Sequence, residues 1–261
     1  MAFDEDIALA PAGEGAYEGR IADGWTTPRG PHGGYVMAMV LHAMELAIGD
    51  PQRQPRSLTV HFLRPPKLGP VIARPLIERA GRALSTVTAR LEQDGKPVAL
   101  GVGAFSPAWD APDVGDAPMP DGVAPPAELS PPLPGAPAFA NQLAMQPRFG
   151  DAPLTGSDNE MVGGWIDLRE PRPLDGPALC VLADGWYPAI WARLTQLHPA
   201  PTIDLTVHFR APLPVEGPLL ARFTTKLARG GFFEEDSELW ATDGTLVAQS
   251  RQLGLLLPPI S

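Results

Sequence analysis

The pentapeptide Leu58-Thr59-Val60-His61-Phe62 recurs unchanged as Leu205-Thr206-Val207-His208-Phe209. Around it, Pro65 falls on Pro212, Gly69-Pro70 on Gly217-Pro218, Ala73-Arg74 on Ala221-Arg222, Asp94-Gly95 on Asp243-Gly244 and Val98-Ala99 on Val247-Ala248, with one-residue adjustments that land in turns. Such self-similarity constrains the fold more than any local signal does. A repeat of roughly 148 residues is too long for a solenoid and predicts two homologous units in tandem, a pseudo-dimer in one chain. A site at the interface between such units is free to be asymmetric.

Composition narrows the function classes. The chain has 261 residues, 44% apolar and 19% charged, with a net charge of -10 that repels phosphate backbones and anionic membranes. Nucleic-acid binding is therefore not expected. Cys180 is the one cysteine, so no internal disulfide can form; between Leu179 and Val181 it reads as a buried structural thiol. The start Met-Ala-Phe-Asp-Glu-Asp has neither the basic nor the apolar part of a signal peptide, and a cytoplasmic location is expected. The most apolar stretch, Tyr35 to Ile48, is short of the ~20 residues that cross a bilayer, so no membrane span is predicted. Gly33-Gly34 before it and Gly49-Asp50-Pro51 after it mark a helix that is apolar nearly all round, hence buried.

Each half reads as a short strand, a loop, a helix and a run of strands. The first half offers strands near 16–21, 57–63, 71–79, 83–93 and 97–105; the second offers strands near 161–168, 203–210, 219–227, 232–241 and 245–256, with a helix beginning near Asp184. Asp94-Gly95 and Asp243-Gly244 are hairpin turns. In Thr202–Arg210, Ile203, Leu205, Val207 and Phe209 alternate with Thr202, Asp204, Thr206, His208 and Arg210, which predicts a half-buried strand. An antiparallel sheet with one apolar face and a helix apolar all round pack most simply if the sheet curls about the helix. The fold predicted is α+β: a double hotdog, two units joined by their sheet edges. Residues 1–106 form the first unit and 156–261 the second. Residues 107–155 link them; ten prolines between Pro107 and Pro137 preclude helix and ladder, and whether this spacer lies ordered on the surface is left open.

The layout resembles the acyl-coenzyme A thioesterase II family, double-hotdog enzymes that hydrolyse acyl-CoA thioesters. His32-Gly33-Gly34-Tyr35 is similar to the Gly-Gly helix start of that family, Leu182-Ala183-Asp184-Gly185-Trp186 to its Asp segment, Pro201-Thr202-Ile203-Asp204 to its Thr segment, and Val247-Ala248-Gln249-Ser250-Arg251-Gln252 to its Gln segment. The resemblance implies Asp184, Thr202 and Gln252 as catalytic residues. It implies His32, Gly33, Gly34, Tyr35, Gly185 and Trp186 around the substrate and its oxyanion, an acyl-CoA substrate, no cofactor and a homodimer of such chains.

The residue types suit that chemistry. Thioester hydrolysis needs a positioned water, a base and donors for the oxyanion. Asp184 supplies a carboxylate, while Thr202 and Gln252 can orient a water. The oxyanion donor is a helix-start N–H, from either of the two helices. Each residue also has a plainer role: Asp184 as an N-cap, complicated by Pro188, Thr202 as a strand residue, Gln252 as surface. The first-copy positions matching Asp184, Thr202 and Gln252 fall near Gly33, Pro55 and Gly103, all without polar side chains, which predicts a single centre. Tyr35, Met37, Met39, Trp186, Tyr187 and Trp191 are candidates for an acyl channel, with core packing as their ordinary role. His61 and His208 are repeat-equivalent and read as structural, and His32, His42 and His198 are too scattered for a metal site. The alternatives are a non-catalytic acyl-CoA or lipid-binding protein and an enoyl-CoA hydratase. The hydratase is disfavoured because no histidine follows Asp184 before His198.

Overall fold

The computed structural model describes residues 2–124, 126 and 136–259. The first unit contains α1 (Ala2–Asp6), β1 (Ala10–Gly13), β2 (Ala16–Ile21), β3 (Thr26–Thr27), β4 (Gly30–Pro31), α2 (Gly33–Ile48), β5 (Gln54–Phe62), β6 (Gly69–Ala80), β7 (Ser85–Gln93) and β8 (Lys96–Ser106). After a 3-10 turn at Ala138–Gln142, the second contains β9 (Leu143–Phe149), β10 (Met161–Leu168), α3 (Gly176–Leu182), α4 (Ile190–Arg193), β11 (Thr202–Phe209), β12 (Leu219–Thr224), β13 (Ala228–Arg229), β14 (Phe232–Trp240) and β15 (Leu246–Leu255). Among the described residues no helix is long and apolar enough to cross a membrane.

Thirteen of these described strands form one antiparallel sheet in the order β1-β2-β6-β7-β8-β5-β11-β15-β14-β12-β10-β9, with β13 beside β14. The two halves meet where β5 pairs with β11, so the repeated pentapeptide pairs with itself: Leu58 faces Val207, Thr59 faces Thr206 and Val60 faces Leu205. The Thr59 and Thr206 hydroxyls hydrogen-bond at 2.8 Å, which places the pseudo-twofold axis between them. This edge-to-edge junction and the helix within each curled half make the double hotdog expected from the sequence.

α2 and α3 form the centre and run antiparallel. Gly34, in the first turn of α2, lies against Cys180 and Val181, and a Cβ there would sit 2.6 Å from the Cys180 carbonyl oxygen. Gly176, in the first turn of α3, lies against Leu41, where a Cβ would meet its Cδ2 at 2.9 Å. Only glycine lets both backbones approach so closely. Every residue of α3 is buried, Cys180 included.

Three expectations change. The second helix ends near Asp184 instead of beginning there; its N-cap is Asp175, whose side chain accepts from Ala178 N, with Pro177 in the first turn. Aligned by helix starts, Gly33 corresponds to Gly176, so Asp184 matches buried Leu41 and not Gly33. Finally, β9 lies inside the stretch read as linker, paired with β10, and carries the second sheet's edge. Within the proline-rich stretch, residues 125 and 127–135 lie outside the described residues. The part before them crosses the outer face of the second sheet, where Trp240 Nε1 donates to Ala117 O and Trp165 Nε1 to Ala124 O, both at 2.8 Å.

Candidate active site

α2 runs unbroken for 16 residues, whereas its counterpart is split into α3 and α4 by the turn 183–189. Pro188 accounts for the interruption, since it cannot donate to a continuing helix. The turn carries Asp184 to the first turn of α2 in the other unit. There Asp184 Oδ2 accepts from Gly34 N at 2.7 Å and lies 3.4 Å from His32 Nε2. The Asp184 side chain is only 13% exposed. Desolvation raises its pKa, and His32 and the Gly34 N–H pull it part of the way back.

His32 is the N-cap of α2. Its Nδ1 faces Tyr35 N at 3.3 Å, its Nε2 faces the Asp184 carbonyl at 2.8 Å, and its ring stacks on Phe139 at 4.5 Å. With Nδ1 accepting from a backbone N–H, the proton sits on Nε2, so both nitrogens are committed to holding the turn against α2. In the first turn of α2, Gly34 N–H goes to Asp184, Tyr35 N–H to His32 Nδ1 and Val36 N–H to His32 O. Gly33 N–H has no acceptor among the described residues.

A second chain of hydrogen bonds lies on the inner face of the second sheet. Thr202 Oγ1 donates to Gln252 Oε1 at 2.6 Å, Gln252 Nε2 donates to Glu235 Oε1 at 2.7 Å, and Glu235 Oε2 accepts from Ala189 N at 2.5 Å and from Thr225 Oγ1 at 3.4 Å. Ala189 closes the turn that begins at Asp184, so this chain ends on the turn that carries the carboxylate. Thr202 departs from simple alternation: a register shift between Thr202 and Asp204 brings it to the side of Leu205 and Gln252. The first copy has the same shift between Pro55 and Ser57, so Pro55 is its counterpart. Cross-strand pairing likewise matches Gln252 to Gly103 and Glu235 to Val87. Leu41, Pro55, Val87 and Gly103 thus stand in the first copy where Asp184, Thr202, Glu235 and Gln252 stand in the second.

Glu235 is 2% exposed. Burial first, and then the charge of Asp184, push its carboxyl up to about 7 against the bonds from Ala189, Gln252 and Thr225. Sequence reading missed it, although the inward row Phe233, Glu235, Ser237, Leu239 shows the signal: a carboxylate at an apolar position of a period-two strand.

The other predicted residues separate. Gly185 and Trp186 follow α3 and do not open a helix; Asp184 N and Gly185 N are used by Val181 O and Leu182 O. Of the two helix starts, that of α2 lies beside Asp184. Tyr35 is scaffold: its hydroxyl donates to Asp6 O at 2.7 Å and accepts from Ala22 N at 3.2 Å, its ring stacks on Trp25, and burial pushes its pKa up to about 12. Met37 and Met39 are fully buried in the core. Trp186 stacks near Phe223 and buries its Nε1 without an aligned acceptor among the described residues. His61 lies at the strand junction, 4.0 Å from Asp204. No cluster of three potential metal ligands occurs among the described residues.

The architecture is shared with solved structures. A hot dog fold protein of unknown function from Alicyclobacillus acidocaldarius superposes with a TM-score of 0.89 at 28% identity, covering 100% of this chain and 99% of that one. A Thermobifida fusca protein provisionally assigned to thioesterase II gives 0.84 at 27% identity, covering 98% and 97%. Acyl-CoA thioesterase II TesB2 from Mycobacterium marinum shares the fold, with 0.71 at 24% identity over 99% and 98%. In sequence, the uncharacterized protein Rv0499 of Mycobacterium tuberculosis is 27% identical over 274 aligned positions, 92% of this chain and 90% of that protein. These comparisons define a protein of the hotdog fold. Residues 21–106 match the acyl-CoA thioesterase N-terminal domain and residues 114–256 the C-terminal domain, so the chain belongs to the acyl-CoA thioesterase family and is a thioester hydrolase.

Proposed function

We propose that this protein hydrolyses an acyl-CoA to the free acid and CoA, using a water activated by Asp184 and oriented by Thr202 and Gln252. The observation that carries the reading is the replacement of four apolar or side-chain-less positions of the first copy by Asp184, Thr202, Glu235 and Gln252, the last three in one hydrogen-bond chain that ends on the turn carrying Asp184. Buried polar groups are costly, and a duplicated fold that stays apolar in one copy shows that stability does not require them.

With Oδ2 held by Gly34 N–H, Asp184 Oδ1 is the oxygen that takes a proton from water. A lone pair of the water oxygen bonds to the thioester carbon, and the carbonyl π pair moves to the carbonyl oxygen, which the Gly33 N–H at the start of α2 stabilises. Collapse breaks the carbon–sulfur bond, and the proton on Asp184 passes to the departing thiolate. A carboxylate with a raised pKa is a better base near neutrality than an exposed one. The hydratase alternative needs a free histidine beside the carboxylate, and His32 has both nitrogens engaged. A cytoplasmic location and a homodimer belong to the same reading, and the homodimer is measured by sedimentation velocity.

The test is thiol release from acyl-CoAs of graded chain length, acetyl to palmitoyl with benzoyl and phenylacetyl members, by the parent and by Asp184→Asn. The variant keeps an acceptor for Gly34 N–H, so it folds, and it loses ~100-fold or more in kcat as general-base removal does. Equal rates for the two proteins would remove Asp184 from the mechanism. Saturable binding without release by the parent would favour the carrier reading.

A further inference from the structure

Glu235 is a buried carboxylate that the mechanism above does not use. Its two oxygens face different constraints. Oε2 faces Ala189 N, a backbone donor that cannot rotate or flip. Oε1 faces the Gln252 amide, which can present either its oxygen or its NH2. Once ionised, above about 7, the Glu235 carboxylate only accepts, so under those conditions Gln252 must turn Nε2 toward Glu235 and Oε1 toward Thr202. The Thr202 hydroxyl must then give its single hydrogen to Gln252, at 2.6 Å. What remains on Thr202 is a pair of acceptor sites.

We propose that Glu235 is a positioning residue that sets the direction of the hydrogen bonds through Gln252 to Thr202, so that Thr202 accepts a hydrogen from the attacking water. With Asp184 accepting the water's other hydrogen, both hydrogens are held by the protein and the oxygen lone pair is free for the thioester carbon. If Thr202 donated instead, its hydrogen would occupy one of the water's two lone pairs and leave one water hydrogen unheld. The first copy has no such relay, since Val87 stands in place of Glu235 and Gly103 in place of Gln252. The inference rests on the thioesterase reading of the same site. Its test is separable from that reading.

Glu235→Gln is the informative substitution because it retains every bond and reverses their direction. The introduced amide can satisfy Ala189 N–H only with its oxygen, so its NH2 faces Gln252. Gln252 then flips, offers Nε2 to Thr202, and Thr202 becomes a donor to the water. Exchanging the two residues, Glu235→Gln with Gln252→Glu, restores an acceptor opposite Thr202 and returns the Thr202 bond to its original direction, although the bond between 235 and 252 stays reversed.

The assay is steady-state acyl-CoA hydrolysis by the full chain. Glu235→Gln is expected to lower kcat by about tenfold or more with KM within about twofold, the pattern of an interaction realised only in the transition state. The exchanged pair is expected to recover most of that loss, which a merely structural role would not predict, since two independent injuries add. Parent-like kcat in Glu235→Gln, or an exchanged pair no more active than Glu235→Gln alone, overturns the proposal. Should Glu235→Gln not fold, the exchanged pair decides: kcat within about tenfold of the parent supports the relay, and a loss as deep as that of Asp184→Asn overturns it. An inactive parent overturns the thioesterase reading itself, a separate and visible failure.

Discussion

Glu235 also predicts how stability depends on pH. In the unfolded chain its carboxyl titrates at an ordinary 4.5, whereas in the folded protein it is held up to about 7. Below the lower value both states carry the proton and the group is neutral to folding. Between the two values the folded state keeps a proton that the unfolded state releases, so the fold loses stability as pH rises. Above about 7 both states are ionised and the fold bears the whole cost of a buried charge. At about 1.4 kcal/mol per pKa unit, the interval corresponds to roughly 3 kcal/mol, an order-of-magnitude figure. Glu235→Gln cannot titrate and removes this dependence. Urea denaturation of parent and variant at several pH values from about 4.5 to 8.5 gives the difference in unfolding free energy at each pH, and Asp184 is common to both. That difference is expected to shift in favour of the variant by up to about 3 kcal/mol across the range, whatever offset the amide itself introduces. Curves that stay parallel to within about 0.5 kcal/mol would refute the reasoning, because they would mean that the Glu235 charge is not felt by the fold.

Two further substitutions test the helix crossing and the junction of the units. Gly34→Ala puts a methyl 2.6 Å from the Cys180 carbonyl oxygen and 3.0 Å from the Asp184 Cβ. Overpacking of about 1–3 kcal/mol, less about 1 kcal/mol of gained helix propensity, predicts a net loss of up to about 2 kcal/mol in urea melts, accompanied by lower kcat as the turn is displaced. An unaffected melt with full turnover would show that α2 and α3 have room to spare. At the pseudo-twofold axis, Thr59→Val strands the Thr206 hydroxyl and is expected to cost about 1 kcal/mol, whereas Thr59→Val with Thr206→Val is close to neutral because both partners are replaced by apolar groups of the same shape. Additive losses in that double-mutant cycle would deny the contact.

The sequence by itself determined the duplication, the curled sheet about a buried helix and the absence of polar counterparts in the first copy, because periodicity and repetition are local and survive any arrangement of the chain. It also carried the residue types of Asp184, Thr202 and Gln252. The second helix went astray because the Asp175-Gly176-Pro177 cap was passed over while Asp184 drew attention as a cap of its own. Thr202 was placed on the wrong face because one extra residue in a strand reverses alternation, and a bulge is visible only once the partner strand is present. Tertiary structure alone decided the rest. Antiparallel crossing of α2 and α3 brings Asp184 to Gly34, 150 residues away in sequence, at the start of the helix in the first unit. Folding of β14 against β15 sets Glu235 beside Gln252 and the end of the turn beside Glu235. A hydrogen-bond relay has a direction only when every partner is in place, and these partners come from four distant segments that share nothing in sequence except the interior they fill.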